Sequence, residues 1–236
     1  MTKKIPAKAS RETRTPRETR EVTCPRCQKS LQTVAATVIT PESAELAALL
    51  KGTLNSVVCD NCGCRILLDT VMMYRDDAKR LVIWCIPADD AESWQEAEQA
   101  MQQMSAKIFA ELPGELLPEC RLTISRRGFI EKIMIFQNGL DDRLVEFIKY
   151  QLYQHPKHPI DANKFELLYD FTGTDSDKLM FVSIERATGR AAANTHLEMV
   201  AYQEMAEIYA NTPDGREEMK KIFPDYLVSA DRLNMD

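Results

Sequence analysis

Apolar residues change period along this chain, and the changes mark its elements. Glu21–Thr23 and Leu31–Thr40 are rich in β-branched residues and predict strands on either side of a short turn. Thr40 stands where a helix N-cap belongs and Pro41 suits a first helical position. Ala44–Leu50 then predicts a short helix stopped at Gly52. Strand signals resume at Leu54–Val58, and Arg65–Tyr74 with Lys79–Ile86 predicts a hairpin across Asp76-Asp77. Within that hairpin, Leu81-Val82-Ile83-Trp84-Cys85-Ile86 is apolar without alternation, the pattern of a strand covered on both faces.

Helical spacing takes over at Asp89–Leu112. Trp94, Ala97, Met101, Met104 and Ile108 form one stripe. Such a stripe reads first as a core seam and second as a partner-binding face, since methionine adapts to varied surfaces. Pro113-Gly114 and Pro118 mark a boundary. A second lobe opens with a strand at Cys120–Ile124. Ser125 caps a helix through Phe136, Asn138-Gly139 breaks it, and Asp141 or Asp142 starts another reaching Tyr153. Phe165–Thr172, Leu179–Glu185 and Arg190–Thr195 predict strands, the last two joined at Thr188-Gly189. A helix over Leu197–Tyr209 and a shorter one from Thr212-Pro213 to Ile222 follow, and the last ten residues read as an edge segment or a loose end.

The chemistry concentrates in four cysteines. Cys24-Pro25-Arg26-Cys27 and Cys59-Asp60-Asn61-Cys62 are two Cys-x-x-Cys pairs, each giving two sulfurs from one tight turn. Together they make the tetrahedral ligand set of one structural Zn²⁺. Gly63 after the second pair can take the positive φ that turns backbone N–H groups toward sulfur; Gln28 stands less comfortably at the matching place. Zinc with four thiolates carries a charge of −2, which Arg26, Lys29 and Arg65 are placed to offset. Spacing alone does not separate zinc from iron. A redox pair is the competing reading, but it belongs beside a βαβ pattern, whereas the flanking segments here read as antiparallel strands. Disulfides are disfavoured because no secretory signal precedes the cysteines and their total of seven is odd. Cys64 competes with Cys62 as ligand, and the two-residue gap favours Cys62. Cys85 and Cys120 read as small core residues. The predicted class is therefore α+β: a zinc-ribbon-like antiparallel sheet with a helical insert between its cysteine turns, then a C-terminal α+β lobe.

Val22–Pro87 resembles the CpXC domain family. The likeness runs through Thr23-Cys24-Pro25-Arg26-Cys27, the insert with Pro41-Glu42-Ser43, the second pair with Gly63, and the strand pair ending at Trp84-Cys85-Ile86-Pro87. Glu131-Lys132-Ile133-Met134-Ile135-Phe136 and Gly139-Leu140-Asp141-Asp142-Arg143 resemble the part that follows in longer members, so the resemblance covers roughly residues 20–153. It implies a zinc-binding domain and brings no activity with it.

Charge divides the chain unevenly. The first 20 residues hold seven basic and two acidic residues, a net +5, which leaves −11 for residues 21–236 of the total −6. Arg11-Glu12-Thr13-Arg14 recurs as Arg17-Glu18-Thr19-Arg20 with almost no apolar content, and the segment is expected to be disordered. A solvated tail is preferred over a nucleic-acid arm, because the acidic body repels phosphate. The organisation expected is a basic tail over 1–20, a zinc-binding domain with its long helix over 21–112, and a further lobe over 113–236. With 44% hydrophobic residues the chain can bury a sizeable core. No apolar run approaches the ~20 residues of a membrane span, no signal peptide is visible, and reduced thiols point to the cytoplasm.

Other candidates are weaker. Asp141-Asp142 could bind a metal or act in catalysis, but helix capping is the simpler reading. His155 and His158 sit in a proline-bearing connector, and His196 has no visible partner. There is no Gly-rich phosphate loop, nucleophile elbow or histidine metalloprotease motif. Three functions compete, in this order: a zinc-stabilised interaction or scaffold protein with a protein partner the sequence does not name; a nucleic-acid-binding zinc-ribbon protein; and an enzyme with its site between the lobes, which the full use of all four ligands disfavours.

Overall fold

A computed structural model describes residues 17–88, 91–157, 159–224 and 226–233. Two antiparallel hairpins carry the cysteine pairs. β1 (Arg17–Thr23) pairs with β2 (Ser30–Ala36), so the first cysteine turn forms the tip. β1 thus begins inside the segment expected to be disordered: Arg17–Arg20 pair with Thr33–Ala36, and main-chain pairing makes no demand for apolar side chains. Residues 1–16 lie outside the described residues. After β3 (Val38–Ile39) comes α1 (Ala44–Leu50), capped by Ser43 rather than Thr40. Ser43 Oγ accepts from the Leu46 amide at 3.2 Å and donates to Thr40 O at 2.9 Å, so Thr40 opens the preceding turn. β4 (Ser56–Val58) and β5 (Arg65–Leu67) form the second hairpin, tipped by the second cysteine turn.

The body is a four-stranded sheet in the order β3-β6-β7-β8, with β6 (Met72–Asp76), β7 (Leu81–Cys85) and β8 (Glu119–Thr123). β6 and β7 are antiparallel, as the Asp76-Asp77 turn predicts; β3–β6 and β7–β8 are parallel, so this sheet is mixed. Every residue of β7 is buried. Leu81, Ile83 and Cys85 pack with α1 and with Phe129 and Ile133 of α3 (Arg126–Gln137), while Val82 and Trp84 pack with Ala97 and Met101 of α2 (Ala91–Ile108). Both faces are covered, which is why β7 shows no alternation. Ala97 and Met101 of the Trp94 stripe are therefore core, Trp94 and Met104 pack against them partly buried, and Ile108 is exposed. α2 is also the crossover that parallel pairing of β7 and β8 requires. Pro113-Gly114 and Pro118 lie on the return path to β8, so the boundary expected at 113 falls inside one sheet.

α3 joins this core to a second one. α4 (Asp142–Tyr153) is capped by Asp141, whose carboxylate accepts from the Arg143 and Leu144 amides at 3.0 and 3.1 Å. A three-stranded antiparallel sheet, β9 (Phe165–Tyr169), β10 (Lys178–Glu185) and β11 (Ala191–Glu198), packs on it in the order β11-β10-β9. Ile135 of α3, Leu144, Ile148, Leu167 and Phe181 fill this second core. α5 (Met199–Asn211) and α6 (Pro213–Ile222) follow. The stretch from Leu227 is neither loose nor a simple edge. The Tyr226 carbonyl accepts from Leu122 N beside β8, Leu227 and Val228 are buried, and α7 (Ala230–Leu233) closes over α4. Residues 234–236 lie outside the described residues. Among the described residues no helix is long and apolar enough to cross a membrane.

Candidate metal centre

The two cysteine turns are built alike. Cys24 N donates to Lys29 O and Gln28 N to Cys24 O; Cys59 N donates to Cys64 O and Gly63 N to Cys59 O. Each turn needs a residue with positive φ after its second cysteine, and Gln28 (60°) and Gly63 (70°) supply it. The uncomfortable place expected for Gln28 is thus real. The turns face one another and bring Cys24, Cys27, Cys59 and Cys62 together, with all four Sγ atoms within 4.8 Å. The closest approaches run across the hairpins: Cys24 Sγ to Cys62 Sγ is 3.5 Å and Cys27 Sγ to Cys59 Sγ 3.6 Å. Sulfurs about 2.3 Å from a tetrahedral ion stand about 3.8 Å apart, so the set fits such an ion. Cys64 is outside the cluster; its Sγ lies 3.7 Å from Arg65 O.

Electrostatics fit the same arrangement. A hydrogen bond from Asn61, followed by the Lys29 amide, brings the Cys27 thiol down to about 6. The Cys64 amide favours the Cys62 thiolate, yet burial and the three neighbouring sulfurs carry it up to about 12. Four thiols this close cannot all ionise unaided, and a bound dication would supply the missing compensation. Lys29 reaches across the turns to Asp60 at 2.8 Å, which raises the lysine and lowers the carboxyl. Both side chains are well exposed, so the pair orients the turns more than it stabilises them. Arg26 and Arg65 are exposed on the two turns.

Two residues that carry no motif mount these turns on the body. Buried Asn55, itself at φ 52°, donates to Ala36 O at 2.9 Å and accepts from Ala36 N at 2.7 Å, tying the two hairpins together. Arg126, at the start of α3, donates to Leu54 O and Leu68 O at 3.1 and 3.0 Å, holding the base of the second hairpin.

A second group of polar residues lies deep between α3, α4 and the Tyr226–Leu233 segment. Arg121 grips Asp142 through two bonds of 2.7 and 2.9 Å. Lys132 contacts Asp142 at 3.2 Å and Glu146 at 3.3 Å; Lys149 contacts Glu146 and Glu131, each at 3.0 Å. All six are buried, and charges of opposite sign alternate along the row. Backbone groups complete it: Lys132 donates to Val228 O, Glu146 accepts from Ala230 N and Glu131 from Tyr169 N. Burial opposes the charge of Asp142, but Lys132 and Arg121 outweigh it and hold the carboxyl far below its usual range. Glu146 is likewise lowered by Lys149 and Lys132. Glu131 ends the row with one cation, and burial pushes it up to about 7. Asp141 and Asp142 therefore part company, one a helix cap and the other an ion-pair partner. His196 pairs with Glu198 at 3.2 Å on β11, and His158 lies outside the described residues.

Sequence reasoning did not find the charged row, because its five helical members look like solvated helix faces when read singly and Arg121 stands alone on β8. A spacing signal does exist: Asp142, Glu146 and Lys149 recur at i, i+4 and i+7 on a face that is otherwise apolar. A family model described as CpXC protein matches residues 22–149, more than half of the chain. The match spans both cysteine pairs and ends at Lys149. No curated protein and no solved structure matches.

Proposed function

The chain belongs to the CpXC family, and we propose that it is a zinc-stabilised interaction or scaffold protein. In this reading Cys24, Cys27, Cys59 and Cys62 hold one structural Zn²⁺, and the two hairpins form a zinc-ribbon-like module presented to a protein partner. The observation that carries it is the four-sulfur cluster. Thiolates from two facing turns use all four positions of a tetrahedral ion, and a closed shell supports structure rather than chemistry. Asn61 and the turn amides stabilise the thiolate form that a metal requires.

The test is metal content on tag-free protein purified under reducing conditions, with thiols counted beside it. One zinc per chain and four thiols protected until chelation are expected. Cys24→Ser and Cys59→Ser should each lose the metal and unfold the hairpins, read by metal analysis and amide spectra; a metal-loaded, folded variant would remove the basis of the proposal.

The enzyme reading draws on one observation, a cavity of about 600 Å³ bordered by Glu131 and Lys149. The ion pairs of those residues are already complete, which favours a structural role for them. The nucleic-acid reading finds less support on β1, where Arg17 pairs with Glu45 and Arg20 with Glu18. Salt-insensitive or absent binding to nucleic acid would dispose of it.

A further inference from the structure

Among the described residues β1 pairs on one side only, with β2, and six of its seven residues are exposed. The parity of that ladder decides which main-chain groups are spare. Cys24 N donates to Lys29 O one step beyond the Thr23–Ser30 pair, so Glu18, Arg20 and Val22 aim their main-chain groups at β2. Ala36, opposite Arg17, spends both of its main-chain groups on Asn55 instead, as the same alternation requires. Arg17, Thr19, Glu21 and Thr23 therefore turn their N–H and C=O groups outward, where no main-chain group meets them among the described residues. Three other sheet edges are occupied or broken. Leu122 of β8 donates to Tyr226 O, Leu167 and Tyr169 of β9 donate to the Tyr153 and Glu131 side chains, and the register of β11 on β10 shifts between Ser183 and Ile184. An open edge is a template for another strand.

We propose that β1 pairs antiparallel with β1 of a second copy of this chain, about a two-fold axis at Thr19. The order of charges selects that partner and that register. In Arg17-Glu18-Thr19-Arg20-Glu21, antiparallel pairing about Thr19 sets Arg17 against Glu21 and Glu18 against Arg20, each twice. The same register makes Thr19–Thr19 and Arg17–Glu21 the hydrogen-bonded pairs, and these are the residues whose main-chain groups point outward. A slip of one residue brings outward groups opposite inward ones. A slip of two sets Arg20 against Arg20 or Glu18 against Glu18. Within one chain Arg17 reaches Glu45 at 3.4 Å and Arg20 reaches Glu18 at 2.9 Å. Those pairs are exposed and worth little, so sharing them with a second copy costs little. The product is a four-stranded sheet, β2-β1-β1-β2, with the two cysteine clusters at opposite ends. This inference goes beyond the proposed function by naming one partner, and it rests on that reading only in needing the hairpins folded. The contact is small and each chain carries −6, so the dimer is weak.

Sedimentation equilibrium of the full chain tests it, with metal content measured on the same samples. A reversible monomer–dimer equilibrium is expected, with a dissociation constant on the order of 100 μM. Thr19→Pro removes an outward N–H and no bond of the β1–β2 ladder, and it should weaken the dimer about tenfold or more. Arg20→Glu should weaken it by about tenfold, and adding Glu18→Arg to that variant should restore it, because the facing charges are then only exchanged. Circular dichroism checks the fold of Thr19→Pro, and if that is lost the charge series decides. A chain that stays monomeric up to about 1 mM would overturn the proposal, and metal found in that monomer would leave the metal reading standing. A metal-free dimer that answers to these variants would do the reverse. A dimer indifferent to Arg20→Glu and to a folded Thr19→Pro is built on another surface and would overturn the proposal, as would failure of the double charge reversal to restore it.

Discussion

Gln28 and Gly63 occupy equivalent places in the two cysteine turns, yet only one is a glycine. A side chain at positive φ costs about 1 kcal/mol. Nothing surrounds Gly63 within 4 Å of an added Cβ, so Gly63→Ala should cost about that amount through backbone strain alone. Gln28→Gly should gain up to about 1 kcal/mol, less what the freer unfolded chain takes back. Chemical unfolding of the two metal-loaded variants measures both, and equal effects of one sign would contradict the equivalence. The asymmetry was legible in the sequence because the cysteines fix the register of each turn. Asn55 and Arg126 were not legible. Their work is to bond carbonyls and amides far away in the chain, and nothing local distinguishes them from any polar loop residue or helix start.

At the scale of elements, β7 announced itself through unbroken apolarity, α4 through its bounds and cap, and α1 through its bounds, although Ser43 and not Thr40 caps it. Strand partners were hidden, because parallel pairing of β7 with β8 is decided by where α2 returns the chain and not by any residue in either strand. The same applies to α3 and α4, which meet through the buried charged row. Lys132 stands at its centre between Asp142 and Glu146 and also donates to Val228 O. Lys132→Met should cost roughly 3–5 kcal/mol, because two buried carboxylates lose part of their compensation at once. Urea unfolding measures it; a loss under about 1 kcal/mol would mean that the row relaxes toward water.

For the whole molecule, the row makes stability depend on pH with a definite sign. Glu131 moves from 4.5 up to about 7 on folding, so the folded protein holds this proton more tightly than the unfolded chain. Its contribution is fully present below about pH 4.5 and is lost as pH rises through about 7. Asp142 and Glu146, both lowered, act in the opposite sense and weaken the fold only in acid. Unfolding midpoints between pH 5 and 8 should fall for the wild type relative to Glu131→Gln, and parallel curves would refute the assignment. Finally, the two cysteine pairs enclose residues 28–58, a stretch that includes β3 and α1. A metal joining Cys27 to Cys59 would carry tension applied along the backbone straight across its thiolate bonds. A pull on the chain would then bypass the 31 enclosed residues until a metal–sulfur bond ruptured, after which about 110 Å of hidden length would pay out in one step.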